Sequence, residues 1–200
     1  MSHNIITNPL KIIFLLFIMA SCSTLVDDKN MNKNNVIYKI RSIDSNFTNL
    51  ETLLFVDIDT QSLLHIKKGT VLKQYSISSS YYGTGSKENS LKTPLGRHEI
   101  YKKIGNDLPN NAILKGRVWN GAIADIIVEP LDTDFDHVTS RILWLDGLEV
   151  GKNKGKGIDS RNRYIYIHGT AEEGLIGKPA SDGCIRTVSY THLRAHETLV

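Results

Sequence analysis

The sequence lacks a surplus of charge of either sign. Its 24 Lys and Arg against 21 Asp and Glu leave a formal net charge of +3, and the cations form no stripe, so no nucleic-acid partner is supported. No apolar run approaches the roughly 20 residues that a membrane-crossing helix needs. No long helical period runs through the mature part of the chain, and no internal repeat is visible. No pattern of neighbouring His, Cys and Glu marks a metal site. What remains is ordinary globular material: 200 residues, 40% hydrophobic and 22% charged, enough for one domain with a real core and too little for two large ones.

The N-terminus carries more information. Lys11 precedes an apolar run from Ile12 to Ala20, whose nine residues match the h-region of a signal peptide. It leads into Ala20-Ser21-Cys22, which resembles the bacterial lipobox, with Met19 where Leu is more usual. In such signals the peptide is cut before the cysteine, whose thiol and amine are then acylated. The resemblance implies a signal peptide over residues 1–21, lipidation of Cys22, and firm attachment to a leaflet. Ser23, standing where Asp would retain the protein, implies sorting to the outer membrane. The alternative is an ordinary secretory signal with a chance cysteine. With Cys22 lipidated, Cys184 has no partner among the two cysteines of the chain. A lone cysteine is most often a buried, inert one, so its neighbours must decide its role.

Residues 22–50 begin with a polar Asp, Lys and Asn stretch and are expected to form a flexible tether; the pattern from Ile37 to Leu50 is unclear. Strand signals start at Thr52. Thr52 to Ile58 is a β-rich apolar run, and Ser62 to Ile66 and Thr70 to Ser78 alternate around the turn Lys67-Lys68-Gly69. Ser79 to Leu91 reads as a loop. Thr93-Pro94-Leu95-Gly96 reads as a turn into a strand over Arg97 to Tyr101. Residues 103–141 have weak periodicity and are expected to form a lid or insertion. Ile142 to Leu148 and Tyr164 to His168 read as strands again. The fold class is therefore mostly β.

The chemistry gathers near the end. His168-Gly169-Thr170 closes a strand, a loop spans Ala171 to Ala180, and Ser181-Asp182-Gly183-Cys184-Ile185-Arg186 follows. A thiol becomes a useful nucleophile when a base or cation activates it. A histidine sixteen positions upstream, across one loop, can return to the sulfur. Gly183 lets a substrate backbone approach and leaves local amides able to face a developing oxyanion. Arg186, two residues beyond Cys184, can share its side of a strand, and a fixed guanidinium suits a carboxylate. That set points to acyl transfer through a thioester. His65, His98 and His137 lack such neighbours and are read as structural or surface residues.

The His168-Gly169-Thr170 and Ser181-x-Gly183-Cys184-Ile185-Arg186 pair is similar to the signature of the L,D-transpeptidase catalytic domain, the YkuD-like family. Phe55-Val56-Asp57-Ile58 with Leu63-Leu64-His65-Ile66 resembles its opening hairpin, and Thr93-Pro94-Leu95-Gly96 its Thr-Pro-x-Gly turn. The resemblance implies a catalytic domain over 51–187, a β-sandwich with the nucleophile under a lid. It implies that Cys184 attacks the amide between meso-diaminopimelate and D-Ala of a peptidoglycan tetrapeptide stem. The thioester is then resolved by an amine, either of another diaminopimelate (a 3→3 cross-link) or, in some relatives, of a Lys on a small outer-membrane lipoprotein. His168 is implied as base, the Gly169 carbonyl as its orienting partner, the amides of Gly183 and Cys184 as oxyanion hole, and Ser181 and Arg186 as site or substrate contacts; no metal or organic cofactor is implied. The implied location is the periplasmic side of the cell envelope.

Two departures qualify this. Asp182 stands where the family usually has a second His; an acid beside the nucleophile opposes its thiolate unless paired or turned away, and as a substrate-site candidate it is placed to hydrogen-bond His168 or to recognise an amine. From Val188 the chain resembles translated sequencing-adapter read-through, so residues 188–200 are expected to be non-native, with the native C-terminus missing and His192 and His196 without meaning. Three other readings stay open: an L,D-carboxypeptidase or endopeptidase on the same scaffold, a non-catalytic wall-binding lipoprotein, and a cysteine protease.

Overall fold

The computed structural model describes residues 12–16, 33–43, 45, 50 and 52–189. Cys22, His192 and His196 lie outside them. The order is β1 (Ile12–Leu16), α1 (Lys33–Ile43), β2 (Thr52–Asp57), β3 (Ser62–Lys67), β4 (Thr70–Ser78), β5 (Gly96–Ile104), β6 (Ala112–Lys115), β7 (Val118–Ile123), β8 (Val138–Gly147), β9 (Tyr166–Thr170) and β10 (Ile185–Val188). The protein is mostly β, as the sequence predicts.

The strands form one mixed sheet in the order β5-β1-β2-β3-β4-β10-β9-β8-β6-β7. Because β5 also pairs with β8, eight of these strands close into a ring, and β6 and β7 extend from the N-terminal half of β8. Period-2 alternation sorts the side chains. Leu54, Val56, Leu63, Ile77, Leu143, Ile167 and Ile185 fill the interior. Leu53, Phe55, Leu64 and Ile66 face the other way. The β3–β4 hairpin turns on Lys68 and Gly69, both at positive φ (46° and 74°), as a two-residue turn matched to strand twist requires.

Part of the expected tether is instead a packed helix. Within α1, Val36 and Ile40, one helical turn apart, are buried on the outward side chains of β2 and β3. Lys39 adds a 2.8 Å ion pair to the buried Asp57. Within the segment read as an h-region, Ile12–Leu16 form β1 in the uncut chain, parallel to β2 and antiparallel to β5. Among the described residues no helix is long and apolar enough to cross a membrane.

The expected strand at Tyr164 begins two residues later, because Tyr164 holds a φ of 56°. The weakly periodic 103–141 segment contains the β6–β7 hairpin and the start of β8. Every residue of β7 is exposed, so no burial alternation marks it in the sequence.

Candidate active site

The same alternation that buries Ile165, Ile167 and Ile185 in the core turns Tyr166, His168, Cys184 and Arg186 to the opposite face. Strands β9 and β10 are parallel and pair Arg186 with His168 and Ile185 with Ile167. Cys184, one residue before β10, therefore stands level with Tyr166. Its sulfur accepts the Tyr166 N–H at 3.4 Å, and its thiol reaches the Tyr164 carbonyl at 3.5 Å. Thiol and imidazole thus share one face of adjacent strands, two residues apart in register. A bulge in the β8–β9 pairing, between Thr139 and Ile142, lies directly beside His168.

His168 is 2% exposed, and its Nδ1 lies 2.7 Å from the Gly169 carbonyl. A carbonyl only accepts, so Nδ1 carries the proton and Nε2 presents its lone pair. Burial pushes the imidazole pKa below its ordinary value, against the pull of Asp136 and the Gly169 carbonyl. Cys184 is half-buried and a free thiol. Burial pushes its pKa up to about 12, with the Tyr166 N–H acting the other way. Both shifts favour the uncharged pair, Cys–SH beside neutral imidazole. No hydrogen bond joins His168 to Cys184 among the described residues.

Gly169 is fixed by close approach, since a Cβ there would lie 2.9 Å from Thr139 Oγ1 and 3.0 Å from the Thr139 carbonyl. Gly183 is fixed twice, by a φ of 114° and by the Lys92 carbonyl 3.3 Å from where a Cβ would stand. Thr93 explains the Thr-Pro-x-Gly turn: its buried hydroxyl accepts the Ser80 N–H at 3.0 Å and donates to the Gly183 carbonyl at 3.1 Å. Gly96 ends that turn at a φ of 100°, where any Cβ would collide with the Glu149 carboxylate.

The profile of the L,D-transpeptidase catalytic domain (YkuD) matches residues 51–194. The chain belongs to that family. No curated protein matches it. Among solved structures, it is similar to an L,D-transpeptidase from Mycobacterium smegmatis, at 16% identity and a TM-score of 0.35, over 75% of this chain and 54% of that one. It is also similar to the L,D-transpeptidase (residues 123–326) from Xylanimonas cellulosilytica DSM 15894, at 16% identity and a TM-score of 0.29, over 70% and 51%. The chain thus spans about half the length of each of these two.

Within this L,D-transpeptidase-family domain, the site residues named from the sequence fall into three groups. His168 and Cys184 share the β9–β10 face, and Gly169 and Gly183 flank them in the chain. Ser181 is buried and shapes the turn, donating to the Cys184 carbonyl at 2.6 Å and accepting the Gly183 N–H at 3.3 Å. Arg186 is near the thiol but committed: Nη1 donates to Glu172 at 2.8 Å and Nη2 pairs with Asp136 at 2.7 Å. Its Nε is buried without a partner. Asp182 is exposed and makes no hydrogen bond to His168; it lines a cavity of about 200 Å³ with Glu88, Arg163 and Tyr164.

The sequence did not single out Glu172 and Asp136. Glu172 is fully buried, and besides Arg186 it accepts the Thr133 N–H and hydroxyl at 2.8 and 2.6 Å. Residues 133 and 136 belong to the expected lid, so Arg186 and Glu172 pin that segment to the floor of the site. The acidic run Asp132-Thr133-Asp134-Phe135-Asp136 was the only visible signal. Of the histidines set aside, His65 and His98 are buried and His137 stacks on Phe135 at 5.8 Å. Among the described residues no group of three or more His, Cys, Asp or Glu is placed to hold a metal.

Proposed function

We propose that the protein is a peptidoglycan L,D-transpeptidase working through a Cys184 thioester. The observation that carries this reading is the thiol and an imidazole with a bare Nε2 on one face of β9 and β10, within a domain of that family. The uncharged resting pair implies that proton transfer accompanies attack. His168 Nε2 takes the thiol proton as sulfur bonds to the carbonyl carbon of diaminopimelate. Collapse of the tetrahedral adduct breaks the amide, and the imidazolium hands its proton to the departing D-Ala amine. An incoming amine then attacks the thioester, loses a proton to His168, and the sulfur leaves as thiolate to be reprotonated.

Asp136, whose charge opposes the lowering of the His168 pKa by burial, supports the transient imidazolium. The amides of Gly183 and Cys184 serve the oxyanion, and the 3.3 Å contact of Gly183 N–H to Ser181 is long enough to yield. Arg186 acts by holding the lid segment, since both its terminal nitrogens are occupied. Lipidation at Cys22 would place the domain on the periplasmic side of the envelope, at the outer membrane, with stem peptides as donors. A diaminopimelate or a small lipoprotein's Lys would then be the acceptor.

Incubation of the purified protein with tetrapeptide muropeptides tests the reading. A cross-linked dimer with D-Ala release supports transfer. Tripeptide alone assigns hydrolysis, and unchanged substrate overturns the enzymatic reading.

A further inference from the structure

The β6–β7 hairpin carries a cation that the chemistry above leaves unused. Its turn is Gly116-Arg117, with φ values of 58° and 69°, the conformation of a two-residue hairpin turn. The turn lays Arg117 over the aromatic rim of the site. Its Cζ is 4.7 Å from the centroid of Trp144 and 4.9 Å from that of Tyr164, and Nη1 donates to the Tyr166 hydroxyl at 3.1 Å. Trp144 is itself wedged edge-on against Tyr101 at 5.3 Å. The guanidinium is therefore oriented by ring faces and one hydroxyl, with no carboxylate partner among the described residues.

Arg117 also closes one side of an open groove of about 510 Å³. Lys102, Lys103, Asn106 and Trp144 line it too, and no Asp or Glu does. Lys102 is exposed and stands opposite Trp144 in the β5–β8 register. Arg117 and Lys102, two cations on one concavity with no acid among its described lining residues, call for an anion from outside. The groove is coupled to the nucleophile through one residue, because Tyr166 holds Arg117 by its hydroxyl and Cys184 by its backbone N–H. Trp144 and Cys184 also pack on the same cluster. A peptide with its carbonyl at the sulfur can therefore place a neighbouring carboxylate in the groove. A pre-stacked, planar guanidinium suits a carboxylate held by two parallel hydrogen bonds and loses little freedom in making them.

We propose that this groove is the carboxylate subsite for the acyl-donor peptide, with Arg117 as its clamp and Lys102 as the positive field beside it. The inference rests on the transpeptidase reading for the identity of the peptide. Its test uses binding, so that the two can fail separately.

The Cys184→Ser chain, which cannot form a thioester, is titrated calorimetrically with a tetrapeptide stem and with stems whose carboxylates are amidated one at a time. Arg117→Gln should weaken binding about tenfold, equivalent to about 1.4 kcal/mol. Amidation of one carboxylate should do the same, and the two losses should not add. Arg117→Lys should recover part of the loss, and Lys102→Gln should cost less than Arg117→Gln. Thermal melts check that each variant is folded. Equal losses for free and amidated stems, no loss at all, or no binding would overturn the proposal. So would inorganic phosphate binding as tightly as the stem while amidation is silent. If carboxylate-dependent binding appears but wild-type Cys184 is never acylated, the transpeptidase reading fails and the subsite stands.

Discussion

His98 on β5 and His168 on β9 begin from nearly the same environment. Each is almost fully covered, each has Nδ1 against a nearby carbonyl (Gly96 at 3.0 Å, Gly169 at 2.7 Å), and burial pushes each pKa down. They differ at the other nitrogen. His98 Nε2 takes the Ser160 hydroxyl at 2.8 Å and is used up. His168 Nε2 has no hydrogen bond among the described residues and lies on the face shared by Cys184, Arg186 and Tyr166. Burial alone does not make a histidine functional; burial with one nitrogen left open beside a thiol does.

The largest expected effect separates the two regions by activity. Cys184→Ala should lower turnover at least about 10³-fold, and His168→Gln about 10²- to 10⁴-fold. His98→Gln should leave kcat unchanged and act on stability alone. A comparable loss of kcat in His98→Gln, with the fold intact, would break the comparison.

Next comes the floor of the site. Arg186→Met leaves Glu172 without its buried cation and Asp136 without its ion pair. Losing one partner of a buried pair typically costs about 3–5 kcal/mol. Urea unfolding should show a loss of that size, and one near zero would mean that the lid is not pinned through Arg186.

The His98 region should in turn contribute to the acid limb of stability. Its folded pKa is about 4 against an ordinary 6.5. Between those values the unfolded chain binds the extra proton, so stability is full above about pH 6.5 and falls as pH drops toward 4, by about 3 kcal/mol. His168, also lowered, adds in the same direction. Unfolding followed across this window should flatten in His98→Gln; an unchanged slope would move the effect elsewhere.

The smallest effect concerns the turn before the nucleophile. Gly183→Ala must hold a φ of 114° with its new methyl against the Lys92 carbonyl, a strain of about 1–3 kcal/mol. Urea unfolding against wild type reads it directly, and a neutral result would show that the turn relaxes.

Much of this was legible from residues alone. The apolar run from Thr52 to Ile58 and the alternation over Ser62 to Ile66 and Thr70 to Ser78 foretold three strands, because β2 and β3 bury side chains on both faces and β4 along part of its length. The Thr93 to Gly96 turn and the His168 to Arg186 motif were visible because close packing and positive φ restrict those positions to few residue types. What escaped depends on contacts far apart in sequence. Glu172 and Asp136 acquire meaning only when Arg186 is brought between them. Arg117 is an unremarkable turn residue until Trp144 and Tyr164 arrive beneath it. Helix α1 escaped because few of its side chains pack on the sheet, Val36 and Ile40 buried and Ile37 in part, while Lys39 meets it through an ion pair.

Mass spectrometry of Cys184 after brief exposure of the chain to a tetrapeptide stem tests the central claim most directly. The account predicts an adduct on the Cys184 peptide equal to the stem less its D-Ala, formed far more slowly in His168→Gln. Release of D-Ala with Cys184 unmodified, undiminished in Cys184→Ala, would contradict it.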